Sequence, residues 1–179
     1  MKIIVLSGSF NQKGSTNLLA DYFMRGAREA GHVVGMIDTT RIAVRPCVGC
    51  MRCGYNGPCA ISDDMEKIKG HILSADMIVF ATPIYYYNMT AQLKTVIDRF
   101  CSITVPLQKK NMKSALIAVA WNTEDRVFEP LVSNYRAIAQ YMHFADKGMI
   151  LGKGCGTPEN TAKSQYVRDA YNLGGSLKN

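Results

Sequence analysis

The sequence predicts an α/β fold: a doubly wound, five-stranded parallel sheet in the order 2-1-3-4-5, with helices on both faces. Three observations carry this. Short apolar runs alternate, through five rounds, with segments whose apolar residues recur every three or four positions, the pattern of strand–helix units that pair in parallel. The first of those runs is continuously apolar, as in strands buried on both faces. The chain has 179 residues, 47% of them hydrophobic and 20% charged, which suits one domain over 1–179 with a real core and excludes disorder as its main state.

Residues 2–7 form the first strand, followed by a polar loop over 8–15. From Thr16 the spacing of Leu19, Phe23, Ala27 and Ala30 is helical, and Gly31 can end that helix. Residues 33–38 are the second strand. Residues 39–62 have no periodicity and contain four cysteines, so they read as an insertion loop. Asp63, with Glu66 three residues on, resembles a capping box opening a helix striped by Met65, Ile68 and Ile72. The third strand covers 77–81 and is closed by Pro83, which forces the chain out of the sheet. Leu93, Val96, Ile97 and Phe100 make the next helical face, 114–120 the fourth strand, Phe128 to Met142 a further helix, and 148–151 a short fifth strand. A last helix starts near Asn160. Ligands of such sheets bind beyond the carboxyl ends of the strands, near the switch point between strands 1 and 3.

No apolar run approaches the roughly 18 residues of a membrane span. The stretch Ile3, Ile4, Val5 and Leu6 is shorter than the apolar part of a signal peptide. A soluble, cytoplasmic protein without membrane partners is expected. Twenty-one basic and 14 acidic residues give a net charge of +7, which favours anionic ligands. The basic residues are scattered, and the densest group is Lys109, Lys110 and Lys113, so no nucleic-acid partner is expected.

The loop after strand 1 leaves a buried strand and enters a helix, whose unpaired N–H groups suit a phosphate. Gly8 and Gly14 allow tight turns, Ser9, Ser15 and Thr16 add hydroxyls, and Lys13 adds charge. Neither a dinucleotide fingerprint nor a P-loop is present. An ordinary serine-capped turn is the alternative. The loop after strand 3 carries Tyr85, Tyr86 and Tyr87, flat apolar faces with polar tips. They suit either a planar ligand or packing between subunits or onto the sheet edge. Trp121, after strand 4, borders the same region or walls the sheet edge.

The cysteines follow Cys47-x₂-Cys50-x₂-Cys53-x₅-Cys59, with turns supplied by Gly49, Gly54, Gly57 and Pro58. Three readings are open: one iron–sulfur cluster, free or reversibly oxidised thiols, or zinc. Cys101 and Cys155 stand alone and are expected to be unreactive. Asp98 and Arg99 read as a surface or interface pair without chemistry. His32, His71 and His143 are not spaced for metal and read as surface or capping residues. No Ser-His-Asp or paired-carboxylate constellation is present, and no catalytic residue is assigned.

The first loop, Gly8-Ser9-Phe10-Asn11-Gln12-Lys13-Gly14-Ser15-Thr16, resembles the phosphate loop of flavodoxin-like FMN reductases, Gly-Ser-x-Arg-x-x-Gly-Asn-Thr. Asn11 replaces the common arginine, and Ser15-Thr16 replaces Asn-Thr. Pro83-x-Tyr85, then Ala91, Leu93-Lys94 and Asp98-Arg99 look like the same family, so the resemblance covers residues 1 to about 100. The cysteine loop resembles the compact motif of iron–sulfur flavoproteins of the same superfamily. Many relatives of the FMN reductase type carry such a loop before Asp-Asp-Met, here Asp63-Asp64-Met65.

The resemblance implies an FMN-dependent oxidoreductase that moves electrons from NAD(P)H through the flavin to a small-molecule or redox-protein acceptor. The alternative is an iron–sulfur flavoprotein that acts in electron transfer, and a third reading is a module that has lost its cofactor. The implied cofactor-binding set is Ser9, Lys13, Gly14, Ser15, Thr16 and Asn17 from the first loop, Pro83, Ile84, Tyr85, Tyr86 and Asn88 from the third, and Trp121. Cys47, Cys50, Cys53 and Cys59 are the implied ligands of a 4Fe–4S cluster. A homo-oligomer is implied as well.

Overall fold

The computed structural model describes residues 1–178. Five parallel strands lie in the order β2-β1-β3-β4-β5, the order expected from the sequence: β1 (Lys2–Ser7), β2 (Val33–Asp38), β3 (Met77–Pro83), β4 (Lys113–Val119) and β5 (Ala145–Gly152). Alternate side chains of each strand serve opposite faces. Ile4, Leu6, Ile78, Phe80 and Leu116 pack under α2 (Met65–Ser74), α3 (Ala91–Asp98) and α5 (Asp125–Tyr141). Ile3, Val5, Met77, Val79 and Ile117 pack under α1 (Ser15–Glu29) and, with Ala170, under the C-terminal helix. Each such side chain contributes about 1.5–3 kcal/mol when fully buried. Among the described residues no helix is long and apolar enough to cross a membrane.

Several boundaries differ from the sequence reading. β3 continues through Pro83, paired with Val119, because the ladder closes through the Ile84 N–H, which donates to Val119 O at 2.9 Å. β5 starts earlier, at Ala145, with a register irregularity opposite Ser114 and Leu116. Its exposed polar start, Ala145-Asp146-Lys147, masks that stretch from any apolar run. A 3-10 turn (Arg99–Ile103) leads into an unexpected short helix, α4 (Thr104–Lys110). The expected last helix is two: α6 (Pro158–Lys163), capped by Thr157 Oγ1 accepting from Asn160 N–H at 3.2 Å, and α7 (Tyr166–Gly175). The capping box at Asp63 does not close. Asp63 Oδ1 accepts from the Met65 N–H at 3.0 Å, while Glu66 pairs with Lys69. His32 is buried, not at the surface: Nδ1 lies 3.2 Å from the Met1 amine and Nε2 3.1 Å from Leu177 O.

α1 and α7 touch backbone to backbone. A Cβ at Gly174 would fall 2.1 Å from Phe23 O, and one at Gly26 2.1 Å from Tyr171 O. Glycine is what permits that approach, and it fixes α7 along the helix that carries the first loop.

Candidate functional site

The register brings Ser7 level with Ala81 and Pro83 level with Val119, so the loops after β1, β3 and β4 open into one cleft. It holds about 180 Å³ of accessible space and is open to solvent. Ser9, Gly14, Ser15, Thr16, Pro83, Ile84, Tyr85 and Trp121 line it. Lys13, Asn17, Tyr86 and Asn88 do not. The cleft also takes Asn11, Val119, Ala120, Cys155, Gly156 and Pro158, which the sequence reading left out. The glycine-rich stretch after β5, Gly152-Lys153-Gly154-Cys155-Gly156, was the signal for the last three.

One end of the cleft is lined by unpaired backbone donors. Gly14 caps α1 and has no side chain to offer the first-turn N–H groups. Among the described residues, the amides of Ser15, Thr16 and Asn17 have no partner within the chain. These groups and the helix dipole favour a bound phosphate. Thr161 Oγ1, fully buried, lies 2.8 Å from both Ser15 Oγ and Thr157 O; its single proton serves one of them, and the contact fixes where the Ser15 hydroxyl sits at the cleft wall. Asn17 shapes the loop from inside: its Oδ1 accepts from Ser7 Oγ at 2.7 Å and its Nδ2 donates to Asn11 O at 3.1 Å. Lys13 is exposed, with its backbone N–H donating to Asn11 Oδ1 at 3.1 Å.

The other end is aromatic. Tyr85 and Asn88 exchange backbone bonds of 2.9 and 3.1 Å around a two-residue turn. Its central residues, Tyr86 and Tyr87, are both left-handed, at φ +46° and +67°, a conformation that side chains adopt at a cost. The Tyr86 ring is fully exposed. Trp121 is 75% exposed, yet its indole rests on Gly156, where a Cβ would fall 2.1 Å from the ring.

Residues 1–144 match the family model of the NADPH-dependent FMN reductases. The chain belongs to that family. A Bacillus subtilis relative named as an NAD(P)H-dependent FMN-containing oxidoreductase is 30% identical over 161 residues, 86% of each chain. An iron–sulfur flavoprotein of Methanocaldococcus jannaschii is 33% identical over 119 residues, 66% of this chain and 62% of the relative. One from Archaeoglobus fulgidus is 32% identical over 55% of this chain and 45% of its own. The chain thus spans about half to three-fifths of those two relatives. The solved NAD(P)H:quinone oxidoreductase of Methanothermobacter marburgensis superposes with a TM-score of 0.77 at 16% identity, over 100% of this chain and 96% of that one. A Bacillus anthracis FMN-dependent NADH-azoreductase, solved with FMN, gives 0.75 at 12% identity over 100% of both chains. At these identities the two structures speak to the fold alone.

The cleft of this FMN reductase family member fits FMN. Three unpaired amides and the hydroxyls of Ser15 and Thr16 are donors of the kind one terminal phosphate would need, and Tyr85 and Trp121 line the opposite end.

A second pocket lies in the cysteine loop. Cys47, Cys50, Cys53 and Cys59 line it, together with Arg99 and Cys101. Arg99 is not a surface residue: it is 1% exposed. Its guanidinium meets Asp63 at 2.6 Å and donates to Arg45 O at 2.9 Å and Ile61 O at 3.1 Å. Asp63 also accepts the Arg45 N–H at 2.9 Å. Burial works against the Asp63 charge, but the bonds from Arg99, Arg45 and Met65 outweigh it and hold the carboxyl below the usual range. Cys101 is not isolated either, since its Sγ lies 3.9 Å from Cys53 Sγ. Burial and the neighbouring thiols of Cys53 and Cys47 push its pKa up to about 11. Cys155, the other cysteine read as isolated, is buried at the cleft.

The donor chemistry of a metal site is present in this pocket, but its convergence is not. Among the described residues no three His, Cys, Asp or Glu side chains are placed to hold one metal ion. The four thiols therefore do not hold a single ion such as zinc as arranged, although all four line one pocket.

Proposed function

We propose that the chain is an FMN-dependent oxidoreductase that takes electrons from NAD(P)H and passes them to a small-molecule or redox-protein acceptor. The observation that carries this is the row of unpaired amides at the start of α1, set in a cleft with an aromatic far wall. Bound FMN supplies the hydride and electron chemistry. The chain's own residues bind and orient it. Ser9, Gly14, Ser15 and Thr16 surround the phosphate, Pro83 and Ile84 present backbone beside the ring system, and Tyr85 and Trp121 face it. Thr161 fixes where the Ser15 hydroxyl sits. No side chain is assigned a proton-transfer role. A cytoplasmic homo-oligomer completes the reading.

Mass spectrometry of the released cofactor tests it. FMN, with bleaching of the flavin band on adding NADPH or NADH, is expected. Recovery of FAD alone, or of no flavin after reconstitution, overturns it.

The iron–sulfur reading is supported by the cysteine spacing and by relatives named as iron–sulfur flavoproteins. Iron and sulfide assays on anaerobically purified protein decide it: stoichiometric amounts support a cluster, and background levels remove it.

A further inference from the structure

Cys53 lines one pocket with Cys47, Cys50 and Cys59, but that pocket also holds a cysteine from outside the spacing pattern. The Cys53 sulfur contacts that of Cys101, 48 positions further along the chain and on the 3-10 turn after α3. The sulfurs are 3.9 Å apart. A disulfide bond is about 2.05 Å long, so an approach of about 1.9 Å would join them.

The surroundings allow that movement on one side and resist it on the other. Cys53 sits in a run of turns between Met51 and Tyr55, two non-glycine residues held left-handed at φ +59° and +63°. Such strained turns can relax when a neighbour moves. Cys101 is fixed two residues after the buried Arg99 anchor. Both thiols are half-buried, within reach of a small reagent. Cys101 also lines a second concavity, beside Tyr55, Thr104, Ile138 and Met142, so it is approached from outside the cysteine pocket as well.

We propose that Cys53 and Cys101 form a reversible dithiol–disulfide pair that responds to low-molecular-weight disulfides and, when oxidised, fastens the cysteine loop to the turn after α3. One protein thiolate attacks the oxidant's S–S bond, forming a mixed disulfide and releasing half of the oxidant as a thiol. The second protein sulfur attacks the mixed disulfide and displaces the other half. Two protein thiols thereby lose two electrons and two protons, and the oxidant leaves as two thiols. Oxidised Cys53 has no free thiolate for a metal, so the pair and a cluster that uses Cys53 exclude one another.

The test uses the purified protein with its flavin, equilibrated in glutathione buffers of rising oxidised fraction, quenched with iodoacetamide and mapped by peptide mass. A Cys53–Cys101 cross-linked peptide should accumulate, with two hydrogens lost, and vanish on adding dithiothreitol. The Cys47→Ser, Cys50→Ser and Cys59→Ser variants should retain it. Cys101→Ser should abolish it and leave Cys53 carrying glutathione, and Cys101→Ala repeats the comparison if serine disturbs folding. Alkylated Cys101 at every buffer ratio, cross-links confined to the other four cysteines, or Cys53 shielded by stoichiometric iron would each overturn the proposal.

Discussion

Arg99 and Asp63 form a 2.6 Å ion pair across 36 positions, with side chains 1% and 7% exposed. Arg99 follows directly on α3, the helix after the tyrosine turn. Asp63 closes the cysteine loop. Through Arg45 O and Ile61 O the same guanidinium gathers both ends of that loop, so one cation sets where the cysteines sit relative to the sheet.

Replacing Arg99 by Met should therefore cost about 3–5 kcal/mol, the range for a buried pair left with one uncompensated partner. Arg99→Lys should recover only part, because an ammonium cannot reproduce the fork that reaches three acceptors. Urea denaturation measures both. Midpoints equal to wild type would mean that the loop is held by something else.

The carboxyl of Asp63 gives a pH dependence with a definite sign. Its pKa is lowered on folding, so the unfolded chain takes up the proton first. The stabilisation is complete above the unfolded value, about 3.9, and is lost as pH falls through the lower folded value. Asp63→Asn should be less stable at neutral pH and should decline less steeply in acid. Parallel acid-denaturation curves for the two proteins would contradict this.

At the amide-lined end of the cleft, Ser15→Ala should weaken FMN binding by roughly tenfold or more, because a hydrogen bond to a charged group is worth about 1.5–3 kcal/mol. Thr161→Val should weaken it less, and Thr161→Ser should restore it. Flavin fluorescence titration reads all three. Wild-type affinity in Ser15→Ala would take its hydroxyl out of the site.

The chain has a single tryptophan, which makes the aromatic wall observable. Gly156→Ala places a methyl where the indole now lies, so the Trp121 emission should shift and FMN affinity should fall severalfold. Unchanged emission would show that the indole does not rest on Gly156.

The strands were legible because each is a local apolar run that answers to burial on two faces. β1 and β2 have the expected bounds, and Ser9, Gly14, Ser15 and Thr16 of the first loop line the cleft. What escaped has a common cause. Arg99 with Asp63, Cys53 with Cys101 and Ser15 with Thr161 are pairs separated by 36, 48 and 146 positions. Periodicity reports which face of an element is buried, not which distant residue waits there. Arg99 in particular carries a charge, and a charged residue at a helix end ordinarily faces water; only its partner reveals that it does not.

Thr161 braces the first turn of α1, and Gly174 lies against the same helix at Phe23. The segment over 158–175 therefore props the element whose amides face the cleft. By linkage, whatever binds those amides must also tighten the docking of that segment, and whatever loosens it must lower affinity by an equal factor. A protease cut near Ser164, between α6 and α7, should come more slowly in the flavin-loaded protein, which makes the tail's susceptibility a gauge of occupancy at the opposite end of the sequence.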